Sequence, residues 1–213
     1  MNRMKRNVLV LIVIFLAVVS LTVVSVHALQ NKLEVIPLRV GNKWEFSESE
    51  FDKSGTLLKS ETVFASVVEE KTIETKTWYK YREFGNDFWV RSGEGGQYEA
   101  VLDDFDQTSP NKDSEEILFF RYPVTKTPVK YKSQFGDMKV ISRDAEVTAN
   151  AGTFTCYHYQ ILESDLRIDI FVAPGKGLVK NRFEDETSVR IAELESFRLK
   201  REESVTVGAN SDG

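Results

Sequence analysis

One cysteine, Cys156, stands alone in 213 residues, so no disulfide can form within the chain and packing must hold the fold. Histidine is almost as scarce, with only His27 and His158 present. That count excludes a histidine-rich zinc site and the paired-histidine helix of a metalloprotease. The chain also lacks a Gly-x-Ser-x-Gly elbow, a phosphate-binding glycine-rich loop and a dinucleotide fingerprint. With them go the motif-borne routes to acyl, phosphoryl and hydride transfer. An excess of cations is missing too: 28 Lys and Arg face 33 Asp and Glu, a net charge of −5. Such a surface repels phosphate backbones, so nucleic acid is not an expected partner. No catalytic residue, cofactor site or metal site emerges from the sequence.

Long apolar runs are absent except at the start. Arg3, Lys5 and Arg6 precede an uncharged run from Val8 to Val26, followed by Val26-His27-Ala28. A cationic start, an apolar core and a small residue before polar sequence form an export signal, with Ala28 the expected cleavage point. The run is long enough to span a bilayer as a helix, so a retained anchor is the alternative. In both cases the cationic flank stays inside and the rest emerges outside, and membrane contact is confined to this segment. Residues 1–28 carry three cations and no anion, so without them 185 residues and a balance of −8 remain. That length suits one domain, expected over residues 29–203, with residues 204–213 a polar, disordered tail.

Within that domain, runs rich in Val, Ile, Thr, Phe, Tyr and Trp alternate with short turn signals, the rhythm of an all-β fold. Strands are predicted at 44–51, 56–68, 77–84, 87–91, 97–102, 117–122, 129–131, 138–147, 154–162, 166–173, 178–183 and 189–199. Ile191, Leu194 and Phe197 also fit a helical face, and the last segment is read as a strand with a bulge. The linkers are too short for crossover helices. The strands should therefore pair antiparallel as a meander, forming a strongly curved sheet or incomplete barrel behind the N-terminal hydrophobic helix.

Three groups of residues invite a chemical reading. Asp103, Asp104, Asp106, Asp113, Glu115 and Glu116 lie in a stretch without apolar periodicity, read as an exposed loop; their spacing does not match a helix-loop-helix calcium site. Cys156 and His158 share a strand-like run, where residues two apart stand about 6 to 7 Å from each other, too far for a catalytic dyad. Cys156 is expected to be a buried small hydrophobe. The aromatics Trp44, Phe46, Trp78, Tyr79, Tyr81, Phe88, Trp89, Phe119, Phe120, Tyr157 and Tyr159 are the third group. Adjacent pairs such as Trp78-Tyr79 and Phe88-Trp89 put one ring on each sheet face, so the second face is either covered by a loop or lines a groove for an apolar ligand.

The segments PLRVGNKWEF (37–46), VTANAGTF (147–154) and FVAPGKGLVK (171–180) resemble, in order, motifs of a TapB-like set of uncharacterised exported bacterial β-rich proteins. This chain departs from that pattern at Asn150, where proline is usual, and at Lys176, where an apolar residue is usual. The resemblance implies an exported β-rich module without known catalysis and transfers no functional residues. By themselves the same residues specify turns: Pro174 fixes φ, while Gly175 and Gly177 permit unusual backbone angles, and Gly41-Asn42 and Ala151-Gly152 reverse the chain before strands.

The expectation is a non-catalytic domain of the cell envelope or secreted fraction that binds an apolar ligand or an envelope protein on its curved sheet. The alternatives are a hydrolase whose carboxylates converge in three dimensions and a membrane-tethered scaffold. An apolar concavity favours the first, and two close carboxylates in a polar cleft favour the hydrolase.

Overall fold

The computed structural model describes residues 34–102 and 108–200; the export segment, Asp103, Asp104, Asp106 and the polar tail lie outside them. The described residues from Val35 onward form one compact unit. It contains twelve strands and, among the described residues, no helix: β1 Lys43–Asp52, β2 Leu57–Ile73, β3 Lys76–Glu83, β4 Asn86–Gly93, β5 Gly96–Ala100, β6 Glu116–Arg121, β7 Val129–Ser133, β8 Gly136–Ala149, β9 Gly152–Leu162, β10 Arg167–Ala173, β11 Gly177–Glu184 and β12 Ser188–Arg198. Each predicted strand is present, with ends shifted by a few residues. The largest difference is β2, which runs on to Ile73 because its second half pairs with β3 through Thr72 and Thr77.

Every pairing is antiparallel, and the order is β6-β5-β4-β3-β2-β1-β12-β11-β10-β9-β8-β7. The first and last strands of the meander therefore join, and the sheet curls into a nearly closed barrel whose open seam lies between β6 and β7. The seam has a local cause. Pro123 and Pro128 sit in the connection between the two edge strands, and proline cannot donate to a ladder. Tyrosine hydroxyls span the gap instead: Tyr131 donates to the Phe119 carbonyl at 3.1 Å and Tyr159 to the Arg121 carbonyl at 2.9 Å.

The predicted bulge in the last strand is real. Glu45 faces Ser196 and Phe46 faces Leu194, leaving Glu195 as the extra residue of β12. A second bulge bears more on function. In β6, Phe120 pairs with Gln97 and Leu118 with Tyr98, so Phe119 is extra. A bulge re-aims side chains, and here it lets neighbouring Phe119 and Phe120 both turn into the barrel, with ring centroids 4.5 Å apart.

The barrel interior holds Trp44, Phe46, Val67, Tyr81, Val90, Met138, Tyr159, Ile161 and Leu194, all buried. One end is stoppered by the segment before β1, where Val35, Ile36 and Leu38 join the core. Gln97 holds this stopper as a strand would: its Oε1 accepts from Ile36 N–H at 2.9 Å and its Nε2 donates to the Ile36 carbonyl at 2.7 Å. Asn42 adds a second tie, donating to the Pro37 carbonyl and accepting from Lys200 N–H. Burial without these bonds would orphan backbone groups at a cost of about 1–3 kcal/mol each.

On the outer face, Trp78 and Trp89 are only 2 % exposed and form their own small cluster with Ala100. The chain after residue 107 covers them. Trp89 Nε1 donates to the Thr108 carbonyl at 2.9 Å, and Lys71 Nζ donates to Ser109 Oγ and the Pro110 carbonyl. From Thr108 on, the acidic stretch is a loop with Asn111, Lys112, Asp113 and Glu115 exposed, as read; its segment 108–110 covers two tryptophans, and Glu116 opens β6. Two indoles on an outward face need cover, which Ile73, Leu102 and the segment bonded to Trp89 through Thr108 supply.

Candidate functional site

At the end opposite the stopper the barrel contains a chamber of about 390 Å³, lined by Phe84 and Phe88 from the β3–β4 hairpin, Phe119 and Phe120, Phe135 from the β7–β8 turn, and Met138, Ile161, Leu166, Ile168, Ile170 and Phe183 from β8 to β11. Its size falls within the range of about 300–1,000 Å³ usual for small-molecule sites, and its wall has their predominantly apolar character. Alternation along the strands explains the lining. Ile168 and Ile170 point inward while Asp169 and Phe171 point outward.

Phe84 is held at the mouth by an unusual backbone. It and Gly85 form the two-residue β3–β4 turn with φ of 50° and 86°, the positive pair typical of a type I′ turn, in which asparagine or glycine is usual and a bulky ring is an outlier. Its ring packs edge-on against Phe46 at 5.3 Å. That contact and the chamber wall offset the local strain.

Three polar side chains interrupt the wall: Glu83, Asn86 and Asn181. Glu83 continues the inward face of Tyr79 and Tyr81 and accepts from the Tyr81 hydroxyl at 3.2 Å. Burial pushes its carboxyl up to about 7, against the opposing effect of that hydrogen bond. Glu99 stands opposite Val90 and Ile117 on the inward face of β5 and is 5 % exposed. Burial raises it to about 8; the Gln134 hydrogen bond opposes this and the nearby Glu83 charge adds to it. Among the described residues, Glu99 Oε2 and Asn181 Oδ1 are buried without a hydrogen-bond partner.

Sequence reasoning did not single out Glu83, Glu99 or Asn181. A usable signal existed for two of them. Tyr79, Tyr81 and Glu83 share one parity, as do Val179, Asn181 and Phe183, so each polar residue continues an apolar face. Glu99 lies in the short run Gln97-Tyr98-Glu99-Ala100, whose two faces do not differ in polarity.

The residues weighed for chemistry lie elsewhere. Cys156 is wholly buried, and burial pushes its thiol up to about 12, which removes the thiolate a nucleophile needs. His158 turns to the outer face, with Nε2 2.8 Å from Asp169 Oδ1 and its ring stacked on Phe171 at 4.3 Å. Burial works against ionisation of Asp169, but hydrogen bonds from Arg167, Gln160 and His158 outweigh it and hold the carboxyl below its usual range. Asp113, Glu115 and Glu116 do not form a cluster: Asp113 pairs with Lys112, and Glu116 with Arg91 and Lys76. Among the described residues no group of three or more His, Cys, Asp or Glu is placed to hold a metal ion.

The three sequence motifs meet around Trp44, at the stoppered end and away from the chamber mouth. Trp44 Nε1 donates to the Lys176 carbonyl at 2.5 Å. Phe154 packs against Phe197 at 6.2 Å, and Phe197 is the β12 partner of Trp44. Both departures from the TapB-like pattern have local partners: Asn150 donates to Glu195 Oε1 at 2.7 Å, and Lys176 Nζ lies over the Phe197 ring at 5.6 Å.

No protein-family model matches the chain, so the TapB-like resemblance rests on those three motifs, and no curated protein matches its sequence. Two solved structures are similar. One is a protein of Parabacteroides distasonis provisionally described as a lipoprotein, with TM-score 0.40 and 16 % identity, over 78 % of this chain and 99 % of that one. The other, from Bacteroides fragilis, is provisionally described as an exported protein with a YmcC-like fold, with TM-score 0.40 and 13 % identity, over 78 % of this chain and 100 % of that one.

Proposed function

We propose that this chain is an exported β-barrel module that holds an apolar ligand inside its sheet and catalyses no reaction. The chamber of about 390 Å³, stoppered at one end and walled by phenylalanine, isoleucine, leucine and methionine, carries this reading. A barrel that keeps so many aromatic rings facing a void gives up dispersion contacts that an apolar occupant would restore. The cationic start, apolar run and Ala28 support export, with the leader either cleaved or kept as a tether. The TapB-like resemblance points the same way.

The carboxyls argue against the hydrolase. An acid/base pair needs one carboxyl raised and its partner kept ionised, whereas burial raises both Glu83 and Glu99. A protein partner is the second reading, favoured by Leu57, Leu58 and Phe64, which are more than half exposed on β2.

The test is titration with N-phenyl-1-naphthylamine, a neutral apolar dye that fluoresces when shielded from water. The wild type should take up the dye, and Ile168→Trp, which fills the chamber, should not. Equal uptake by both proteins, with Ile168→Trp still folded, would place the dye elsewhere and contradict the reading.

A further inference from the structure

The chamber is apolar, but its polar groups are selective in kind. Glu83 and Asn181 line it, Glu99 is buried close enough to Glu83 for their charges to interact, and Asn181 Oδ1 and Glu99 Oε2 are buried without a hydrogen-bond partner. Each can accept a hydrogen bond, and no lysine or arginine lines the chamber. Arg190 lies over the ring of the lining residue Phe183 at 4.4 Å. Buried acceptors without donors are costly, and ionising two neighbouring carboxyls in an apolar setting is costlier still.

A ligand that brings donors and positive charge removes both costs, whereas an anionic head would oppose the ionised carboxyls and find side-chain N–H donors in the lining only on Asn86 and Asn181. The wall leaves room for a chain, and the carboxyls stand where a head would lie: Glu83 beside Phe84 at the mouth, and Glu99 beneath the β7–β8 turn, whose Gln134 bonds it and whose Phe135 lines the chamber. We infer that the chamber takes a single-chain cationic amphiphile, an alkyl chain with a protonated amine head, whose N–H groups are received by Glu99 and Glu83. This rests on the apolar-ligand reading above and adds to it the class of ligand.

The experiment is displacement of N-phenyl-1-naphthylamine from the full chain at pH 7 by three ligands of equal chain length: dodecylamine, dodecanol and dodecanoate. Dodecylamine should displace the dye at about tenfold lower concentration than dodecanol, the factor that one charge-assisted hydrogen bond supplies. Dodecanoate should be the weakest. Glu99→Gln is nearly isosteric and keeps one acceptor oxygen, so it should retain dye and dodecanol binding while the amine preference falls to within about twofold. Glu83→Gln should reduce the preference in the same direction. Dye binding without an amine preference, or a preference untouched in both variants, would overturn the head-group assignment alone. Failure of the folded wild type to bind the dye or any of the three ligands would overturn the chamber reading and this assignment together.

Discussion

The indole of Trp44 reaches across 132 positions of sequence to donate to the carbonyl of Lys176 at 2.5 Å, and its ring lies where a side chain on Gly177 would be. A Cβ on Gly177 would stand 3.0 Å from Trp44 Nε1, at a residue whose φ is +96°. The first and last of the three motifs are therefore two halves of one contact that helps close the barrel end.

Gly177→Ala should lower stability by about 2 kcal/mol or more, combining a strained left-handed backbone with a crowded ring. Trp44→Phe should cost about 2 kcal/mol through lost volume and an orphaned carbonyl. Urea denaturation followed by circular dichroism reads both values. A Gly177→Ala midpoint equal to wild type would show that the glycine is incidental.

Stability should depend on pH through the interior carboxyls. Folding raises Glu83 to about 7 and Glu99 to about 8, so the folded state binds more protons than the unfolded one from about pH 4.5 upward. Their contribution is full below the unfolded carboxylate pKa and is lost as pH rises through 7 and 8. Asp169 and Asp185 are held below the usual range; their contribution is present above about pH 4 and lost as pH falls. The ligand-free protein should be most stable near pH ~5 and lose up to about 1.4 kcal/mol per pH unit per carboxyl on the alkaline side. Glu99→Gln should flatten that slope. Urea midpoints from pH 4 to 9 test it, and a slope unchanged by the substitution would remove Glu99 as its source.

The seam between β6 and β7 should open first. Tyr131→Phe and Tyr159→Phe each delete a hydroxyl that serves an edge-strand carbonyl, at about 1 kcal/mol apiece. Hydrogen exchange should rise in β6 and β7 and stay unchanged in the β1–β12 ladder. A uniform rise across the barrel would mean that the seam is not a separate unit of stability.

Phe84→Asn replaces a ring in a left-handed turn with a residue that tolerates it. Relief of about 1 kcal/mol of backbone strain should nearly offset the lost contact with Phe46, itself worth about 1 kcal/mol. The midpoint should therefore move little while uptake of N-phenyl-1-naphthylamine falls severalfold. Full uptake would exclude Phe84 from the binding wall.

Much of the fold was legible because most strands carry their own signal. Thr77-Trp78-Tyr79-Lys80-Tyr81 is aromatic-rich and runs to the turn at Gly85, Leu178-Val179 follows directly on the glycine turn at Gly175 and Gly177, and even the bulge at Glu195 left a trace in the mixed periodicity of β12. The union of β1 with β12 was not legible, since neither strand's pattern names a partner so distant. The stopper at Val35, Ile36 and Leu38 was missed because it forms no ladder and depends on the Gln97 side chain. The chamber was anticipated only as one use of the second aromatic face. Of the doubled pairs named, Trp78 and Trp89 lie under the chain after residue 107, whereas Phe88 lines the inward void beside Phe119 and Phe120, which a bulge turns inward together in a way strict alternation does not foresee. Glu99 was hidden because a carboxylate among thirty-three shows its role only through its neighbours in space.

The most direct measurement is native mass spectrometry of the chain recovered from a host that exports it, without detergent. An adduct of a few hundred daltons, released on denaturation and absent from Ile168→Trp, is the result expected of a barrel that carries an apolar ligand. A bare protein mass in every preparation, with no adduct after incubation with dodecylamine, would contradict it.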